Sequence, residues 1–444
     1  MPWSLGGYAL SRVITLLTTV VLARLLTPED FGIVALAVLA LTVVNVFSDV
    51  GLTGVLVVRQ DFDRRAQGTV LTMLLVSGGL FSALLVALAP LAADVFREPR
   101  LVDVLRALGA LSFLSGFYWF YDMLLQRELE FRARFVAQMA RTGAYAAVAI
   151  ALAAVGAGVW SLVLGQLAGA VVVSIVLVAL APYRVRPTFQ RWAVRAALGE
   201  GHGFLLQAGA TTVQDNLDFI VVGRALGADA LGSYSMAYRL GEVPYASIAD
   251  PIARVNFSAF ARRRHAGEDV GPTFLRSLQA VALVTWPLGL LLSATAAPFT
   301  RAILGDRWTA MIGPLAVMGI WAAVRPLETT VGWLLNAVGE AGRSGRISTV
   351  LLLPLVPALV GGAHLGGTTG VAWVLLVHLT VTVLLLAGVA QRRLDVSLRR
   401  QGRAVRSLVP AAIACWVAAR AMAEATSDVA PLLGLLAAVI AGSA

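Results

Sequence analysis

Asp215 and Asp218 stand three residues apart in an apolar stretch, with Asn216 between them and Gln207 and Gln214 close by. At helical spacing the two carboxylates share a face and repel, so one keeps its proton unless a cation sits beside it. Such a pair can serve a proton or a sodium ion, or it can be a structural pair neutralised by Arg239 or another arginine. Two Arg-x-x-Glu pairs, Arg239 with Glu242 and Arg325 with Glu328, have the same spacing. Each can close on itself within one helix turn. Alternatively its guanidinium can turn to an anion, a task suited to a fixed charge and a planar fork of donors. Pro326, beside Arg325, would break a helix and free backbone groups. Arg12 and Arg141 are further cations in apolar stretches; Arg12 is assigned to a cavity lining, and Arg141 can snorkel toward water. Asp49 and Asp250 hold nearly equivalent places in the two halves of the chain, which favours a structural or gating role. Asp122 follows Tyr118, Trp119 and Tyr121, a grouping typical of an interfacial aromatic belt.

The elements that must carry these residues are membrane spans. The chain has 444 residues, 59% hydrophobic and 14% charged, with a mean hydropathy of +0.82. Polar groups this sparse cannot cover a water-soluble protein of that size. Apolar runs of about 20 residues recur throughout, each long enough to cross a bilayer. They are continuous rather than alternating, so the class is all-α and polytopic, not a barrel. Spans are expected near 5–26, 31–57, 68–93, 101–126, 133–155, 158–181, 199–222, 231–257, 273–297, 310–337, 346–364, 369–391, 408–423 and 429–443, about fourteen in all. No cleavable signal peptide is legible ahead of the first.

The net charge is +10 and all 35 basic residues are arginine. Twenty-one fall in alternate loops, at 59–65, 127–134, 184–195, 262–264, 343–346 and 392–406. The intervening loops hold six: Arg24, Arg97, Arg100, Arg224, Arg301 and Arg307. The bias places the first set and both termini in the cytoplasm, and marks a topology signal, not a nucleic-acid surface. The segment 392–406 reads as a loop facing anionic lipid. The basic, proline-bearing stretch 182–198 divides an N-terminal lobe of six spans (1–181) from a second of six (199–391). The loop 392–407 then leads to two extra helices (408–444). The single Cys415 and the scattered His202, His265, His364 and His378 give no metal-ligand spacing. Gly361-Gly362 and Gly366-Gly367 flank a turn. No phosphate loop, nucleophile triad or large loop domain is present, so no cofactor and no enzyme activity are expected.

One short segment occurs twice. Arg24-Leu-Leu-Thr-Pro-Glu-Asp-Phe-Gly32 and Arg224-Ala-Leu-Gly-Ala-Asp-Ala-Leu-Gly232 each follow an apolar helix and precede another. Each has Arg first, Leu third, an acid within one position of its counterpart, and Gly last. Residues 20–37, VVLARLLTPEDFGIVALA, resemble the first loop of bacterial oligosaccharide and polysaccharide flippases of the multidrug/oligosaccharidyl-lipid/polysaccharide exporter superfamily. Residues 215–240, DNLDFIVVGRALGADALGSYSMAYRL, resemble that family's seventh and eighth helices. Asn216, Asp218, Gly223, Arg224, Gly232, Tyr234, Tyr238 and Arg239 match its pattern.

The resemblance implies two six-helix lobes in parallel pseudo-repeat around a cavity that opens alternately to each side. It implies translocation of an undecaprenyl-diphosphate-linked oligosaccharide for a cell-surface polysaccharide across the bacterial cytoplasmic membrane. Partners would be that lipid, membrane lipids, and polymerase and glycosyltransferase proteins. Arg12, Arg141, Arg239, Arg325, Gln207 and Asn216 would then line the cavity against diphosphate and sugar. Asp215, Asp218, Glu242 and Glu328 would be coupling or ion sites, and Arg24, Asp49, Arg224 and Asp250 gating or structural residues. A cation-coupled drug exporter would share the fold but favour acidic cavity groups. A peptidoglycan-precursor flippase would share the span count. A membrane sugar polymerase or ligase would need a large outer loop.

Overall fold

The computed structural model describes residues 2–49, 52, 56, 61–394 and 396–425. Side chains are described throughout these except at 2–10, 12, 46–49, 199–211, 247, 248, 250, 251, 253–255, 265, 393 and 394. Arg12, Asp49, Gln207 and Asp250 therefore lie outside the described side chains, and the span expected at 429–443 lies outside the described residues. The protein is an all-α polytopic membrane protein. Among the described residues eight helices are long and apolar enough to cross a bilayer, or nine if the last two helices form one span bent by 45°. The chain divides into two compact units, Met1–Gly232 and Ser233–Ala444.

The first unit begins with α1 (Pro2–Leu25) and α2 (Pro28–Asp49). Their junction is fixed locally. Pro28 presets the first turn of α2, and Glu29 and Asp30 meet its positive end. The Asp30 carboxylate accepts from the Thr27 amide (3.1 Å) and hydroxyl (2.8 Å), a reciprocal cap. Next come α3 (Arg64–Phe96), α4 (Leu101–Arg127), α5 (Phe131–Ala154), α6 (Val159–Leu180) and α7 (Arg191–Leu226). Asp63 caps α3, accepting from the Ala66 amide at 2.7 Å. With 33 residues α3 is about 50 Å long and projects beyond the hydrocarbon core.

The segment expected to link two lobes is strapped onto α3. Thr188 donates its amide to the Gly68 carbonyl (3.3 Å) and its hydroxyl to that of Arg65 (2.6 Å). The Thr188 carbonyl accepts from Thr72 (2.8 Å), and the Gln190 amide donates to the Thr69 hydroxyl (3.0 Å). A Cβ at Gly68 would collide with the Arg186 carbonyl, so glycine is required for the approach. Helix α7 packs on α2 and α3, within the unit that ends at Gly232.

Helix α8 (Ala228–Pro244) follows α7 across Gly227, whose φ of +88° suits glycine. The two copies of the repeated segment meet here within the first unit. A Cβ on Gly32 would strike the Ala228 carbonyl, and one on Gly232 would strike the Pro28 carbonyl. Each glycine thus faces the carbonyl four residues ahead of its counterpart.

In the second unit, a π-helical turn, Tyr245–Ala249, follows Pro244 and leads into α9 (Asp250–His265). The single helix expected over 231–257 is therefore interrupted, because Pro244 lacks the N–H an unbroken ladder needs. The remaining helices are α10 (Gly271–Ala294), α11 (Ile312–Ala337), α12 (Ala341–Leu394), α13 (Leu398–Arg406) and α14 (Val409–Ala425). Close approach of Gly289 and Gly319 packs α10 on α11, as small residues do between membrane helices. The run α12 is two limbs joined at Gly366 and Gly367, the turn expected from their glycines. Helix α14 docks on α10 through Leu291, Ala294, Trp416, Ala419 and Ala423, with the Trp416 indole donating to the Ser293 hydroxyl at 3.4 Å.

Candidate functional site

The charges of the first unit fall into two groups. On α7, Asp218 is buried (3% exposed) while Asp215 is exposed, so a three-residue spacing does not give them one environment. The Asn216 amide donates to the Thr212 carbonyl of its own helix at 2.8 Å. Asp122, by contrast, is engaged across a turn. The Arg134 guanidinium grips it with Nε to Oδ1 at 2.9 Å and Nη2 to Oδ2 at 2.7 Å. This bidentate pair clamps α4 to the first turn of α5. Two turns further along α5, the Arg141 guanidinium lies over the Tyr118 ring at 5.3 Å. Arg141 is itself exposed, in keeping with a snorkelling cation. Tyr118 thus partners a cation that sequence spacing does not join to it.

Arg24 and Arg224 occupy the last turns of α1 and α7, where a cation complements the helix dipole. Arg100 joins Glu29 to Glu98, with Nε 3.1 Å from the Glu98 carboxylate. It therefore ties the loop 97–100 to the start of α2.

Both Arg-x-x-Glu pairs lie in the second unit. Arg325 closes on Glu328 with Nη1 to Oε2 at 2.9 Å, and both side chains stay partly open (27% and 20%). Arg239 is exposed on α8 and Glu242, one turn on, is half-buried. Around Arg325 the chain builds an aromatic frame. Its guanidinium lies 5.5 Å from the Tyr245 ring and 5.6 Å from that of Trp321, and Trp321 packs against Tyr238 at 5.5 Å. Tyr245 opens the π-helical turn that follows Pro244. The frame places aromatic faces beside the guanidinium in the middle of α11.

Pro326 lies inside α11, and the hydroxyls of Thr329 and Thr330 donate to the Arg325 (3.3 Å) and Pro326 (2.8 Å) carbonyls. These are back-bonds within the turn that follows the proline, on carbonyls other than that of Ala322, which Pro326 leaves without its ladder partner. His378, on the second limb of α12, stands within electrostatic reach of both Arg325 and Glu328. Sequence reading had isolated the Arg325–Glu328 pair but not Tyr245, Trp321 or His378. A signal existed in Tyr245, an aromatic directly after a proline in a span. Among the described residues no group of His, Cys, Asp and Glu has the geometry of a metal site.

Residues 21–313 match the family model described as "Polysaccharide biosynthesis protein". The chain is 25% identical over 389 residues to the Lipopolysaccharide biosynthesis protein WzxC of Escherichia coli (strain K12), covering 86% of this chain and 78% of that protein. It is 27% identical over 334 residues to the Teichuronic acid biosynthesis protein TuaB of Bacillus subtilis (strain 168), covering 73% and 68%. It is also 26% identical to the Succinoglycan biosynthesis transport protein ExoT of Rhizobium meliloti (strain 1021), covering 76% and 68%. Among solved structures, the fold matches the Lipid II flippase MurJ in an inward closed conformation, with a TM-score of 0.82, 12% identity and coverage of 100% and 97%. It also matches an inward-facing multidrug resistance MATE family transporter of the MOP superfamily, with a TM-score of 0.67, 17% identity and coverage of 87% and 94%.

Proposed function

This chain belongs to the polysaccharide biosynthesis protein family, and from that membership we propose that it is a flippase for a prenyl-diphosphate-linked oligosaccharide, working by alternating access in the bacterial cytoplasmic membrane. The observation that carries the reading to a site is Arg325. A cation in the middle of a membrane helix is costly unless it faces a polar route. Here it is framed by Tyr245 and Trp321 and balanced, without being closed off, by Glu328. An incoming diphosphate exchanges with the Glu328 carboxylate for the guanidinium fork. Arg239, exposed on α8, is the second cation assigned to the anion.

Glu242, Glu328, Asp215 and Asp218 remain the candidates for a coupling cation, with Asp218 the more buried of its pair. Arg12, Arg141, Gln207 and Asn216 are assigned to the cavity lining, and Arg24, Asp49, Arg224 and Asp250 to gating or packing. On the positive-inside bias we assign both termini to the cytoplasm. Polymerase and glycosyltransferase proteins, which consume and supply such a lipid, are the proposed partners.

The test is transbilayer movement of a fluorescent prenyl-diphosphate oligosaccharide in proteoliposomes. Wild type is expected to move it. Arg325→Ala and Arg239→Ala are expected to lose roughly tenfold to a hundredfold in rate, the effect of one or two charge-assisted hydrogen bonds. No movement by wild type under any imposed proton or sodium gradient, with efflux of a cationic dye instead, would overturn the reading in favour of a drug exporter.

A further inference from the structure

The two limbs of α12 enclose a cleft that the proposed anion site leaves unused. They touch near their turn, where a Cβ at Gly362 would press on the Gly370 carbonyl. Away from the turn the first limb carries Pro354 and Pro357, which loosen a helix and let the limbs diverge. The opening has a volume of about 360 Å³ and is lined by Leu351, Pro354, Ala358, Trp373, Val377 and His378, among others. That is about a dozen molecules of liquid water by volume, yet the wall offers one polar side chain, where a buried water needs two to four partners. Flanking side chains point outward and are apolar, Leu353 at 77% and Leu384 at 61% exposed, as expected where a helix faces lipid. A cleft so lined suits hydrocarbon better than water.

Its depth matters. The lining stretches lie near the middle of each limb, and His378, in the wall, is within electrostatic reach of Arg325 and Glu328. A diphosphate held at Arg325 would be at mid-membrane, and its hydrocarbon chain must leave sideways at that depth. We propose that the cleft between the limbs of α12 seats the isoprenoid chain of the substrate while its headgroup crosses. The proposal rests on the lipid-linked substrate argued above. Chain and headgroup then occupy neighbouring subsites on one unit, one apolar and one cationic.

Two measurements test this separately from transport itself. In the first, purified protein in nanodiscs is photolabelled with a polyprenyl phosphate bearing a diazirine on its chain. Label is expected on Trp373, Val377 or their neighbours, displaced by unlabelled polyprenyl diphosphate and not by phosphatidylglycerol. Label elsewhere, or displacement by phosphatidylglycerol as for any acyl chain, overturns the proposal whether or not the protein flips. In the second, Ala358→Trp fills the cleft, and Leu288→Trp places the same bulk on exposed α10. The ratio of long-chain to short-chain substrate transport is expected to fall about tenfold in Ala358→Trp, the effect of losing roughly two buried methylenes, and to hold in Leu288→Trp. An unchanged ratio in an active protein overturns the chain site. Cleft labelling in a protein that flips neither substrate would retain the site and sink the flippase reading.

Discussion

Gly32 and Gly232 show how much one missing methyl group can decide. Each occupies a place where any Cβ would run into the partner helix's backbone carbonyl, which cannot rotate away as a side chain can. Gly232→Ala should therefore destabilise by about 1–3 kcal/mol, the usual cost of overpacking, and Gly32→Ala likewise. The check is the midpoint of thermal unfolding in detergent; wild-type behaviour of both variants would mean that the helices separate at little cost. The clamp between α4 and α5 is a second case. Arg134→Lys keeps the charge but loses the planar fork, and should cost about 1 kcal/mol, the worth of one hydrogen bond to Asp122. Asp122→Asn tests the same contact from the other side. Neither contact was equally legible. The glycines stood out because the segment recurs, and the Arg325–Glu328 pair because three-residue spacing is a helical contact. Asp122 and Arg134 are twelve apart across a turn, a distance at which sequence offers no periodicity to read.

At the scale of elements, the strap from Tyr183 to Gln190 reads in sequence as a proline-bearing linker, and only the fold shows that it is bonded to α3. Tyr183 anchors its start, donating to Glu128 at 3.0 Å and Gln67 at 3.3 Å. Burial first, and then the hydrogen bond to Glu128, hold its phenol above the ordinary value near 10. A group whose pKa rises on folding stabilises fully below the unfolded value and loses that contribution as pH climbs through the folded one. The strap should thus be intact at neutral pH and weaken only above about pH 10. Tyr183→Phe is expected to lower the unfolding midpoint at pH 7 by the equivalent of about 1 kcal/mol, and to flatten its decline in strong alkali. Equal alkaline decline in both proteins would show that other groups govern it.

Helix α13 is fixed in a similar manner. Gln401, buried, donates to the Val396 (2.9 Å) and Ala387 (3.3 Å) carbonyls, so Arg399, Arg400, Arg403 and Arg406 all face outward. The arginines are legible in sequence as a basic run, while the glutamine that orients them gives no signal, since a lone polar residue in a basic loop has no period. The break at Gly366-Gly367 was legible from composition. The π-helical turn after Pro244 was not, because hydropathy reports length and not the ladder inside it.

For the molecule as a whole, the argument concerns which way it faces. In the first unit the loops at 61–65, 127–134 and 184–195 converge on one apolar core that includes Phe62, Leu124, Ala137 and Val185. In the second, those at 262–264, 343–346 and 392–406 converge on another, built on Phe260, Leu335, Val396 and, at its edge, Val405. Within each unit, then, the arginine-rich loops share one end. Arg100 and Glu29 join at the opposite end of the first unit. If membrane insertion follows the positive-inside bias, both arginine-rich ends face the cytoplasm. Cys415 is the chain's single cysteine, so Cys415→Ala gives a clean background for mapping this. A cysteine placed at exposed Phe189 or Gly402 should resist an impermeant maleimide applied to intact cells and react once the membrane is opened. One placed at Pro99 should react from outside in both cases. Labelling of position 402 in intact cells would invert the second unit, and with it the leaflet in which a diphosphate first meets Arg325.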